Sequence, residues 1–137
     1  MRRPVIFSLA TLTALALAGL GSAAFAASSR ATPTKVVTIA QTNCSPGHAY
    51  CYRPGPLTVA RGTKVVWKNV TSVPHTVTRC TVSSCGVNGG SGKQTGLHSN
   101  TINPGKTFAF VFRQPGTYRY DCIFHGYAVM HGTVTVR

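Results

Sequence analysis

The chain is almost without acid. Asp121 is the one side-chain carboxylate in 137 residues, against 14 Lys and Arg. Charge of that sign cannot be neutralised internally, so a positive field over much of the surface is expected. Runs of basic residues are also missing. The cations stand singly from Arg30 to Arg137, whereas an arm that grips nucleic acid shows them clustered. Nucleic acid is therefore set aside, and an anionic cell envelope or an acidic protein partner is expected instead. No sustained helical period occurs after residue 30, and Gly and Pro recur too often to allow one. No cysteine precedes Cys44, so the N-terminal stretch cannot carry a lipoprotein cysteine.

That stretch, residues 1–26, has Arg2 and Arg3, an apolar run from Val5 to Leu20, and Ala24-Phe25-Ala26. A charged start, an apolar middle and an A-x-A site form a secretory signal pattern. The run is short against the ~20 residues that span a bilayer. Export to a periplasm or cell surface is expected, with cleavage after Ala26. Residues 27–34 read as a flexible lead-in and 35–137 as one domain. Losing Arg2 and Arg3 leaves 12 cations against Asp121, a formal +11.

Short β-rich segments follow, punctuated by turns. They are Lys35–Ala40, the run from Leu57, Lys64–Asn69 after a turn at Arg61-Gly62, "HTVTR" from His75, "NTI", "KTFAFVF", "TYRYDC" and "GTVTVR". Thr81 to Gly96 reads as a loop by its Gly and Ser content. Seven or eight strands in this length indicate an all-β, Greek-key sandwich. Trp67, Phe108, Phe110, Tyr118 and Tyr120 are most simply its core. Four cysteines fall into close pairs, Cys44/Cys51 and Cys80/Cys85. Three connectivities are open. The two local ones are preferred, because both segments are rich in turn residues and an exported chain meets oxidising surroundings.

Cys122 is then left over, and its neighbourhood explains it. "YDCIFHGYAVMHG" sets Cys122, His125 and Met130 in a C-x2-H-x4-M spacing. Thiolate, imidazole and thioether form a soft donor set that suits Cu(I), and it still holds Cu(II) in a trigonal arrangement with a long axial bond. One loop does not easily supply a whole site. His75, at the start of a strand, is the natural further ligand, since loops of a sandwich cluster at its ends. His131 should point away if Met130 points inward, and His48 and His98 read as surface or loop residues.

The stretch from Ile102 to Val136, with "PGKTFAFVF", "PGTYRYDC" and the closing "GTVTV", resembles the cupredoxins, the small blue copper proteins. Upstream "YRPGPLTVARGTKVVWKN" and "PHTVT" follow the same order, so the likeness covers about Lys35 to Val136. It implies one type 1 copper ion held by His75, Cys122, His125 and Met130. It also implies a monomeric one-electron carrier rather than an enzyme, with redox protein partners meeting a surface patch around His125. Pro74, Phe124 and Tyr127 could supply that patch by position. Many members carry Asn after the first ligand histidine, where this chain has Thr76, which puts the tuning of the potential in question. A copper scavenger or delivery protein is the competing reading. Such proteins more often use exposed Met- or His-rich tracts, and the chain has none. H-x-H pairs are absent too, which argues against a multicopper enzyme domain.

Overall fold

A computed structural model describes residues 31–81, 85 and 96–137. The signal pattern, the start of the lead-in and most of the Thr81–Gly96 loop lie outside them. Eight strands are present among the described residues: β1 (Thr34–Ala40), β2 (Cys51–Arg53), β3 (Pro56–Val59), β4 (Lys64–Asn69), β5 (Thr78–Cys80), β6 (Thr107–Val111), β7 (Gly116–Asp121) and β8 (His131–Val136). They form two four-stranded sheets, in the orders β2-β1-β4-β6 and β3-β8-β7-β5. The pairs β1·β4 and β3·β8 run parallel, and the other pairings are antiparallel. The expected all-β sandwich is therefore observed.

Alternation along the strands builds the core. In β4 the side chains of Val65, Trp67 and Asn69 face inward, and in β8 those of Val134 and Val136 do, with Gly132 buried on the same face. These meet Val37, Ile39, Tyr52, Val77, Leu97, Phe112 and Tyr120 between the sheets. Trp67 crosses Tyr120 edge-on at 5.5 Å between ring centroids. Of the expected aromatic core, Trp67 and Tyr120 are fully buried, while Phe108, Phe110 and Tyr118 are only partly so. Phe112, on the same face as Phe108 and Phe110, reaches the centre.

Two expected strands are corrected. "HTVTR" does not pair from His75; the β5 ladder begins at Thr78. The reason lies in the backbone donors. His75 makes one bridge to Ile102, but Thr76 N–H turns to the Cys122 sulfur and Val77 N–H to Ser99 Oγ. With those two groups bonded to side chains, no continuous ladder forms. "NTI" is accordingly the other side of that bridge, not a strand. β2, conversely, was not anticipated, because "CSPGHAYC" shows only turn residues up to the point where Cys51 pairs with Ala40. Thr34, assigned to the lead-in, belongs to β1.

Both local disulfides are present, Cys44–Cys51 and Cys80–Cys85, and Cys122 is free and buried. The single acid is also placed unexpectedly. Asp121 is fully buried, and neither of its oxygens has a hydrogen-bond partner among the described residues. Burial raises its pKa.

Candidate metal centre

The site is assembled where β7 ends. After Asp121 the chain makes a tight turn in which the Cys122 carbonyl accepts from His125 N–H at 3.1 Å and Gly126 N–H at 2.8 Å. Gly126 has φ of 76°, a left-handed conformation that glycine adopts without a Cβ penalty. The loop then closes on itself, with Met130 N–H donating to Gly126 and Cys122 N–H donating to the Met130 carbonyl. This folding returns His125 to the cysteine, with Nδ1 3.3 Å from Cys122 Sγ. His75 approaches from the other sheet connection, its Nδ1 3.7 Å from the same sulfur. One donor atom from each of His75, Cys122 and His125 lies within 4.8 Å of the others. Cys122, His75 and Met130 are wholly buried, and His125 is half-buried.

A chain of buried hydrogen bonds fixes the His75 ring. β4's inward alternation carries Asn69 into the interior, where an amide must be satisfied. Its Nδ2 donates to the Val73 and Ile102 carbonyls, at 2.8 Å each. Its Oδ1 accepts from Thr71 N–H at 2.9 Å and Thr71 O–H at 2.8 Å. Thr71 Oγ1 lies 2.9 Å from His75 Nε2. With the hydroxyl proton directed at Asn69, that oxygen accepts from Nε2–H. The Nδ1 lone pair is then the one facing Cys122, which is the usual way a second contact sets the tautomer of a metal-ligating histidine. Asn69 and Thr71 were not foreseen from sequence. An Asn on the core face of a strand, two residues before a Thr and six before a candidate ligand, was the available signal.

Thr76 supports the sulfur from two directions. Its N–H points at Cys122 Sγ at 3.4 Å, and its Oγ1 accepts from Ile123 N–H at 3.0 Å. The hydroxyl thus ties the first histidine's strand to the cysteine loop. Burial, and then the neighbouring His125, lower the His75 pKa from 6.5 to about 4. Burial also lowers that of His125. Both imidazoles are therefore neutral near pH 7, as ligation requires.

The remaining candidates fall where expected. His131 is exposed, stacked on Tyr127 at 4.5 Å and bonded through Nδ1 to the Tyr127 carbonyl. His98 is exposed on a bridge to Thr78, and His48 is bonded to the Val129 carbonyl. Beside His125, Phe124 is 52% exposed, Pro74 is exposed and Tyr127 is half-buried.

The donor set can be tested against a metal. Bonds of about 2.0 Å to imidazole and about 2.3 Å to thiolate, spread at trigonal angles, separate N from S by about 3.7 Å. The observed separations of 3.7 and 3.3 Å fit with little movement. Two neutral nitrogens, one sulfur with an N–H aimed at it, and a buried thioether next to the closing hydrogen bond suit copper in either oxidation state.

Known proteins agree. The family described as copper binding proteins of the plastocyanin/azurin type matches residues 37–137. Plastocyanin of Rumex obtusifolius is 35% identical over 91 residues, covering 65% of this chain and 90% of that protein. Plastocyanin of Scenedesmus fuscus is 31% identical over 90 residues, covering 65% and 89%. Among solved structures, a purple cupredoxin from Nitrosopumilus maritimus superposes with a TM-score of 0.58 at 32% identity, covering 74% of this chain and 98% of its own. A reduced amicyanin variant gives 0.54 at 29%, covering 82% and 90%. His75, Cys122, His125 and Met130 are positioned to bind one copper ion, and the chain belongs to the plastocyanin/azurin family of copper-binding proteins.

Proposed function

We propose that this protein is a one-electron carrier that works outside the cytoplasm, in which His75, Cys122 and His125 would be the strong copper ligands and Met130 the weak one. The convergence of the two imidazoles and the thiolate on a stiff β-frame carries this reading. Copper supplies the Cu(I)/Cu(II) couple. The protein's part is to hold the donors so that little moves when the charge changes. Cys122 N–H to the Met130 carbonyl fixes the loop's ends relative to each other. The Asn69–Thr71 chain fixes His75. Export is supported by the signal pattern of residues 1–26 and by two disulfides, which persist in oxidising compartments.

A copper scavenger or delivery protein would take the same ion, but three of these four side chains are fully buried, which disfavours rapid handover. The experiment that separates the readings is a visible and EPR spectrum of copper-loaded protein followed by a redox titration. One copper per chain, an intense thiolate-to-copper band and a reversible one-electron wave are expected. A copper complex that does not cycle reversibly would favour delivery. Met130→Leu should keep the colour and raise the potential, because a weak donor to copper is removed and axial ligation tunes the couple. An unchanged potential in that titration would remove Met130 from the ligand set.

The partner should be acidic. The exported chain carries a formal +11, and its one carboxylate is hidden. Such a field steers oppositely charged molecules and is screened over about 8 Å at physiological salt. Stopped-flow electron transfer with an acidic redox protein should slow steeply as salt is raised, and a cationic partner should show the reverse. A flat profile with the acidic partner would reject steering. It would leave the encounter to the patch at His125, with Phe124→Ala or Tyr127→Ala as the slowing changes.

A further inference from the structure

Tyr50 packs against both ligand imidazoles. Its ring centroid lies 4.9 Å from that of His75 and 4.7 Å from that of His125, and the two histidine rings are 4.9 Å apart. The three rings form a nearly equilateral cluster over the copper donors. Nothing in the C-x2-H-x4-M motif calls for this tyrosine. It arrives from the segment between β1 and β2, far from the ligands in sequence.

That segment is held at several points. Tyr50 adjoins Cys51, which is bonded to Cys44 and paired in β2 with Ala40 of β1. His48, two residues before Tyr50, bonds to the carbonyl of Val129 in the ligand loop itself. The next tyrosine, Tyr52, donates its hydroxyl to the Thr76 carbonyl. The segment is therefore fastened to the frame, to the loop that carries His125 and Met130, and to the residue after His75.

We propose that Tyr50 is a positioning residue that gates copper exchange, and that the Cys44–Cys51 disulfide holds the gate shut. Copper leaves when a ligand swings away and a competing donor enters. His75 is pinned through Thr71, and Cys122 and Met130 are buried. His125 is the half-exposed member, so it is the ligand with room to move. Its ring is bounded by Tyr50. The Cys44–Cys51 disulfide thus has a task at the metal: it keeps one aromatic ring pressed against two ligands.

This inference rests on the copper reading, and the two can fail separately. The copper-loaded protein is reduced and mixed with excess colorimetric Cu(I) chelator, and the rate of metal capture is followed. Tyr50→Ala should accelerate capture by about tenfold or more, the scale seen when a residue supporting metal ligands is lost. Tyr50→Phe should stay at the wild-type rate, because the ring is retained. The double variant Cys44→Ser/Cys51→Ser should accelerate capture while Tyr50 is still present. It also stands in should Tyr50→Ala fail to fold. A Tyr50→Ala protein that melts lower but releases copper at the wild-type rate overturns the gate. A double variant at the wild-type rate overturns the role of the disulfide. Failure of the electron-carrier reading would instead appear as an irreversible redox titration in the wild-type protein.

Discussion

Copper-loaded Cys122→Ser should be colourless in the region where the wild-type protein shows its thiolate-to-copper band. The loss should be complete, because the band requires a sulfur donor and Cys122 is the chain's only cysteine outside a disulfide. Serine is close in size, so the buried position can be filled. Its hydroxyl, however, does not ionise near neutral pH, and the Thr76 N–H that faces the sulfur at 3.4 Å would face a neutral oxygen instead. His75 and His125 would still offer two neutral nitrogens. Any Cu(II) that remains should therefore give the EPR signal of an ordinary tetragonal complex. Absorption and EPR spectra of the loaded variant check this. A surviving intense band would remove Cys122 from the centre.

The second large effect is expected from packing alone. Gly132→Ala should lower stability by about 3 kcal/mol or more, in the upper range for overpacked cores. Gly132 stands opposite Tyr120 in the β7·β8 register. A Cβ at this position would overlap the Tyr120 Cζ and Oη atoms and come within 2.9 Å of Cε2. The tyrosine has little room to yield, since it is fully buried against Tyr52 and Trp67. Thermal melts should show a fall of more than 10 °C, taking about 4–8 °C per kcal/mol for a domain of this order. The clash is specific, so Tyr120→Val in the same chain should return part of the loss. A double-mutant cycle with zero coupling would show that Gly132 matters for some reason other than this ring.

Much of the frame was readable because strand alternation is a local property. "KVVWKN" shows its inward face without reference to any partner, and so do "TYRYDC" and "GTVTV". The ligand set was readable for a related reason, since three of its four members share one loop. What stayed hidden depends on segments brought together only by folding. The break after His75 arises because Thr76 N–H finds a sulfur 46 residues away and Val77 N–H finds Ser99. A β-branched run gives no hint of that. The Asn69–Thr71–His75 chain needs a strand end to enter the interior, and Tyr50 needs the loop after β1 to fold over the loop between β7 and β8. Thr76 is instructive in the same way. In sequence it only puts the tuning of the potential in question, yet its hydroxyl reaches Ile123 N–H and keeps the two halves of the site joined.

The burial of Asp121 bears on how copies of this protein treat one another. With the one side-chain carboxylate inside, no copy offers another a negative side chain to dock against. The charged side chains that two approaching copies can present to each other are therefore of one sign, positive. If the proposed carrier role holds, self-exchange between copies should be slow at low salt and quicken as salt rises, the opposite of the trend expected with an acidic partner. Like charge on every copy also favours a dispersed solution of the protein.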